Sequence, residues 1–271
     1  MKHELQSYVS KAAPGFGVSV VREYLQARIL QQIGLSGQMT SIAFMGGTAL
    51  RFLYAIPRYS EDLDFALEGD RDRYRFDELL LNVARGFERE GYKVELNAKP
   101  SRTAVDKGFI KFPGLLHEMG LSPHGSEAIS VKLEVDTNPP AGAVSEVTEI
   151  RRFVVTRLYH HNRSSLFSGK LAAVLMRQYT KGRDLYDLLW YLSDPTWPDP
   201  NMTLLRSAVA QSGWMGPDLD QGSWKSLVLE RLGRVDWSKV RTEAIQFLER
   251  PQEAEMLVFD TFVRLLESRG L

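Results

Sequence analysis

The chain has 271 residues, with 34 basic and 34 acidic side chains, 44% hydrophobic residues and no cysteine. These figures fit an ordinary soluble protein and exclude disulfides, thiolate metal sites and a globally basic nucleic-acid binder. No apolar run reaches the roughly 20 residues of a membrane helix, and Met1–Gln6 lack the apolar core of a secretory signal, so no membrane is expected and the expected location is cytoplasmic.

Val18, Val21, Leu25, Ile29 and Ile33 recur at three- and four-residue spacings, which predicts a helix over 18–33 ended by Gly34. Ile42–Met45 reads as a short apolar strand. Gly46-Gly47-Thr48 then turns the chain into a helix that runs to Tyr54 and is stopped by Pro57. A second strand covers Leu63–Leu67, with Asp62 and Asp64 at its start. Tyr74, Leu79, Leu80, Val83 and Phe87 form the apolar stripe of a helix over 74–90, ended by Gly91. Tyr92–Leu96 alternates as a strand, 98–108 reads as a polar, basic loop, and Phe109–Phe112 as a strand ended by Pro113. Residues 114–127 read as a loop, and Ile129–Asp136 alternates cleanly as a strand. Phe153–Thr156 reads as another short strand. From 164 onward the pattern is helical, over 164–179, 183–193, 202–211, 223–233, 237–249 and 252–268, with a turn at 194–200. There is no internal repeat. The order predicts an α+β fold, with a mixed core over 1–163 and a helical C-terminal domain over 164–271.

Asp62 and Asp64 are the sharpest chemical signal. Strand side chains alternate faces, so the two carboxylates point the same way, about 7 Å apart. Mg²⁺ takes oxygen ligands and is commonly held by one or two carboxylates plus substrate phosphates. The Gly46-Gly47-Thr48 turn opens a helix, and helix N-termini favour anions. Together they imply chemistry on a nucleoside triphosphate (NTP). Glu134 and Asp136 share a strand face with Lys132, and either would complete an acid set if their strand neighbours Asp62 and Asp64; a solvated polar face is the plainer alternative. Residues 151–183 hold Arg151, Arg152, Arg157, Arg163, Lys170, Arg177, Lys181 and Arg183 and no acid, a segment that would attract phosphates unless acids elsewhere in the fold balance it. Lys170, amid apolar neighbours, reads as a phosphate clamp or an exposed lysine. Asp184 reads as a helix cap or, with Asp187 on the same face, as an acid aimed into a cleft. Ser60 reads as a turn residue and Arg58 as a candidate for phosphate. His160 and His161 read as surface residues, and the five tryptophans as core or domain-contact residues.

Met45-Gly-Gly-Thr-Ala-Leu50, Arg58-x-Ser-x-Asp-Leu-Asp-Phe65, Lys132-x-Glu134, Lys170 and Arg183-Asp-Leu-Tyr-Asp-Leu188 together resemble the AbiEii/AbiGii nucleotidyltransferase toxins of toxin–antitoxin and phage-abortive-infection systems. The resemblance runs from about residue 18 to 193; the helices after 200 carry no motif. Many relatives have lysine where this chain has Met45. The resemblance implies a DNA polymerase β-type nucleotidyltransferase core, a small mixed sheet flanked by helices, with a helical C-terminal domain. It implies use of an NTP and Mg²⁺, with tRNA 3′ ends as acceptor in some members, and a cognate antitoxin that need not touch the toxin. On this resemblance Asp62, Asp64 and Glu134 hold metal; Gly46, Gly47 and Thr48 form the nucleotide turn; Ser60 sits at the mouth of the site. Lys170 holds triphosphate, Arg58 and Arg183 are further nucleotide-binding candidates, and Asp184, with Asp187 as the alternative, is the late acid. A protein or small-molecule hydroxyl as acceptor, and a non-catalytic partner on the same scaffold, are the alternatives.

Overall fold

Strands β1 (Ile42–Met45) and β2 (Asp62–Leu67) pair antiparallel in the middle of a seven-stranded sheet. The computed structural model describes residues 2–98 and 103–269. The other strands are β3 (Glu95–Ala98), β4 (Val105–Pro113), β5 (Ala128–Asp136), β6 (Ser145–Arg152) and β7 (Val154–His161). Their order is β3-β4-β5-β2-β1-β7-β6. β2 runs parallel to β5 and β1 parallel to β7, while β4 is antiparallel to both β3 and β5, so the sheet is mixed.

Alternation decides which face is core. Leu63 and Phe65 on β2, Leu133 and Val135 on β5, Ile110 and Phe112 on β4, and Phe44 on β1 are all buried. Each such side chain stabilises the fold by about 1.5–3 kcal/mol relative to exposure. Helix α2 (Gly17–Leu35) packs against β5 and against α4 (Phe76–Arg89), whose Leu79, Leu80, Val83 and Phe87 are buried. The opposite face of β2, β4 and β5 carries the charged residues.

The chain divides into two units. The first takes Met1–Leu53, Tyr59–Asn138 and Val147–His160 and holds nearly all of the sheet; the second takes Tyr54–Arg58, Pro139–Glu146 and His161–Leu271. The second is helical: α6 (Arg163–Met176), α7 (Gly182–Ser193), α8 (Met202–Gln211), α9 (Trp224–Leu232), α10 (Trp237–Ile245) and α11 (Phe259–Ser268). Phe167, Tyr191 and Trp224 are fully buried there, and Phe167 stacks on Tyr191 at 4.8 Å.

Several elements differ from expectation. A first helix, α1 (Lys2–Ser10), and strand β6 were not foreseen. β4 begins at Val105 inside the segment read as a loop, of which 99–102 lie outside the described residues. A short helix, α5 (Leu115–Glu118), interrupts the next expected loop. The helix expected over 252–268 is broken: a 3₁₀ turn covers Pro251–Met256, Leu257 leaves helical geometry and Val258 is extended. His160 and His161 are buried, against the surface reading. They end β7, which is covered on both edges, and His160 Nε2 lies 2.9 Å from Thr148 Oγ1.

Candidate active site

In the first unit the Gly-Gly turn is fitted to the carboxylate strand. Met45 is the register partner of Asp64, so β1 ends against that residue. Gly46 follows with φ +78°, a left-handed value that glycine accepts readily. A methyl group at Gly46 would stand 2.4 Å from Asp64 Oδ2. The turn opens α3 (Gly46–Tyr54), where Gly47 is the second residue and Thr48 is fully buried. Thr48 Oγ1 donates to the carbonyl oxygen of Asp62. The turn is thereby tied to β2 at both acids. Arg51, on the same helix, donates Nε to Glu23 Oε1 at 2.7 Å, with both groups buried. Ser60 lies two residues before β2, and its carbonyl accepts from Gln26 Nε2 at 3.1 Å.

Parallel pairing of β2 with β5 sets Asp62 beside Lys132 and Asp64 beside Glu134. Antiparallel pairing of β5 with β4 sets Glu134 beside Lys107. Paired residues share a face, so Asp62, Asp64, Lys132, Glu134 and Lys107 lie on one surface of the sheet. Lys132 Nζ is 2.7 Å from Glu134 Oε2, and Lys107 Nζ is 3.1 Å from Oε1. Burial pushes the Glu134 carboxyl up, but the two lysines outweigh it and hold it below its ordinary value. Burial pulls the Lys132 ammonium down, but Glu134, Asp62 and Asp64 outweigh it and raise it. Lys132 therefore remains charged.

In the second unit Lys170 on α6 lies between two aspartates of α7, Nζ to Asp184 Oδ1 at 2.7 Å and to Asp187 Oδ2 at 2.8 Å. Arg58, buried, donates Nε and Nη2 to Asp187 at 2.5 and 2.6 Å, and Arg177 pairs with Asp184. Burial pushes the Asp184 carboxyl up, but Lys170 and Arg177 hold it below its usual range. The Arg183 guanidinium lies 4.3 Å from the centre of the Phe247 ring. The basic run over 151–183 is thus not one patch: Arg152 pairs with Glu23, and Lys170 and Arg177 with acids of α7.

Asp62, Asp64, Glu134, Gly46, Gly47, Thr48 and Ser60 thus fall in the first unit, and Arg58, Lys170, Arg183 and Asp184 in the second. Sequence reasoning missed Lys107, because its strand was read as a loop, and gave Lys132 no role. Among the described residues no three His, Asp or Glu side chains form a ready metal cage. The donor chemistry of Asp62 and Asp64 still fits a hard divalent cation whose remaining ligands are phosphate and water oxygens.

Residues 28–264 match the family described as "Nucleotidyl transferase AbiEii toxin, Type IV TA system", and the chain belongs to that family. The match runs well past 193, where the recognisable motifs stop. The chain is an enzyme of the nucleotidyltransferase class within a toxin–antitoxin family. Among solved structures, one described as "putative nucleotidyltransferase from H. pylori" is similar at TM-score 0.58 and 17% identity, over 92% of this chain and 95% of the other. JHP933 from Helicobacter pylori is similar at TM-score 0.55 and 17% identity, over 92% of each chain. At that identity the likeness speaks for the fold. No curated protein sequence matches. Among the described residues no helix is long and apolar enough to cross a membrane.

Proposed function

We propose that this enzyme moves a nucleoside monophosphate from an NTP to an RNA acceptor, the 3′ end of tRNA, with Mg²⁺ held by Asp62 and Asp64. The observation that carries the reading is the shared face of Asp62, Asp64 and Glu134 beside the Gly46 turn. The acceptor hydroxyl oxygen bonds to the α-phosphorus and gives up its proton to solvent water, the α–β bridging P–O bond breaks, and pyrophosphate leaves with the electron pair. Mg²⁺ at the carboxylates supplies charge neutralisation of the phosphates. Asp62 and Asp64 orient the ion, with Glu134 beside them as third acid. The Gly46-Gly47-Thr48 turn offers backbone N–H groups of α3 to a phosphate. Ser60 stands at the mouth, just before the carboxylate strand.

The same reading keeps Lys170 as a cation for the triphosphate and Asp184 as the late acid. Its support is that two carboxylates orient the Lys170 ammonium. Arg58 and Arg183 take framework roles, on Asp187 and over Phe247. The toxin–antitoxin family supports a cognate antitoxin as partner, and the cytoplasm, where tRNA is found, is the proposed location.

The test is incubation with tRNA, Mg²⁺ and each labelled NTP. Asp62→Ala and Asp64→Ala are each expected to lower transfer at least a hundredfold. Transfer that survives both substitutions sinks the mechanism. Zero net charge also suits a protein hydroxyl as acceptor; RNA binding that weakens steeply with salt favours the tRNA reading.

A further inference from the structure

One carboxylate, Glu134, holds two ammonium groups on the acid face. A structural ion pair needs one lysine, and pairs on exposed surfaces add only about 0–1 kcal/mol. The second lysine calls for another explanation. An ammonium has three donors and no acceptor. Glu134 takes one donor from Lys132 and one from Lys107, leaving two on each. Lys132 lies beside Asp62 in the register, and Lys107 is one strand further out with its side chain half exposed. Lys132 also feels the charges of Asp62 and Asp64, so the two ammonium groups lie among the carboxylates proposed to receive a metal-bound nucleotide, where cations that carry spare donors are placed to meet its phosphates. The four acceptor positions of the Glu134 carboxylate are not exhausted by the two lysines, so it can also serve the ion.

We propose that Lys132 is a substrate-contacting residue, its ammonium fixed by Glu134 beside Asp62 so that its remaining donors meet phosphate oxygens of the NTP, with Lys107 as a second, outer phosphate contact. Glu134 is then also a positioning residue that aims both lysines. The assignment rests on the carboxylate site proposed above and adds the group that discriminates a triphosphate from a monophosphate. A compact ammonium suits this role, since it acts as a point charge with rotatable donors.

The experiment measures equilibrium binding, by calorimetry on the full chain with Mg²⁺, of each of the four ribonucleoside triphosphates and the matching monophosphates. Lys132→Ala is expected to weaken triphosphate binding at least tenfold and monophosphate binding less than threefold. Lys132→Arg is expected to recover part of the loss, and Lys107→Ala to lose about threefold. Glu134→Gln, which keeps the shape, is expected to weaken triphosphate binding by freeing the lysines. Melting curves within a few degrees of wild type show that each variant is folded; where Lys132→Ala is not, Lys132→Gln takes its place. Wild-type affinity in folded Lys132→Ala and Lys132→Gln overturns the proposal. Unchanged triphosphate binding in Asp62→Ala and Asp64→Ala overturns instead the carboxylate site on which it rests, so the two failures are distinct.

Discussion

Gly46, the first residue past β1, lies so close to Asp64 of β2 that the Asp64 carboxylate occupies the place of a side chain at position 46. The glycine does two things. It allows the positive φ of the turn, and it leaves room for the carboxylate that the turn serves.

Gly46→Ala is expected to be costly on both counts. The left-handed backbone alone costs about 1–3 kcal/mol for a residue forced into it, and the methyl must displace Asp64. Nucleotidyl transfer should fall at least tenfold while thermal unfolding moves by only several degrees. A variant with full activity contradicts the fit of turn to acid.

Asp187→Ala removes the carboxylate from a buried Arg58 and takes one of two partners from Lys170. Breaking a buried ion pair by removing one partner costs roughly 3–5 kcal/mol. Urea unfolding should show that loss. Arg58→Met, which removes the buried cation instead, should cost less when combined with Asp187→Leu than either change alone.

Acid should loosen the second unit with a defined sign. The folded pKa of Asp184 lies below its ordinary 3.8. The unfolded chain therefore binds the proton first, so the stability that Asp184 contributes is complete above that value and is lost as pH falls through the folded pKa. Glu134, lowered from 4.5, acts with the same sign in the first unit. Melting temperature measured against pH should drop below about pH 4, and Asp184→Asn, less stable at neutral pH, should show a shallower drop in that window. Parallel curves for the two proteins would count against the pairing.

Chelation tests the metal. EDTA is expected to abolish transfer and added Mg²⁺ to restore it, and Asp62→Asn and Asp64→Asn should each bind Mn²⁺ at least tenfold more weakly by calorimetry. Full transfer in EDTA contradicts a role for Asp62 and Asp64 as metal carboxylates.

The β1–turn–β2 segment was legible because local rules suffice there: an apolar run, two glycines, then alternation with acids on one face. Ile129–Asp136 was legible for the same reason. Strand β6 was not, since Ser-Glu-Val-Thr-Glu-Ile-Arg-Arg offers one buried side chain, Ile150, and an edge strand needs little more. His160 was misjudged because one strand that covers β7, β1 with Phe44 opposite His160, lies far away in sequence. The pairing of β2 with β5, which makes Asp64 and Glu134 neighbours, is likewise a long-range fact. So is Glu23, which neutralises Arg152, whereas the acids that neutralise Lys170 and Arg177 begin at Asp184, one residue past the basic run. Lys107 stayed hidden because polar strand residues at a charged face resemble a loop.

The path of the chain through residues 54–58 limits how the molecule can be divided. A five-residue loan from the N-terminal third supplies the guanidinium around which α7 is anchored. A fragment spanning 161–271 would keep every helix from α6 to α11 and still lack Arg58, leaving Asp187 in its interior with Lys170 alone. Truncation by a single cut thus removes a keystone that no inspection of helix boundaries reveals, and adding residues 54–58 as a free peptide should not replace it at ordinary concentrations, because tethering is what makes a segment so short dock at all.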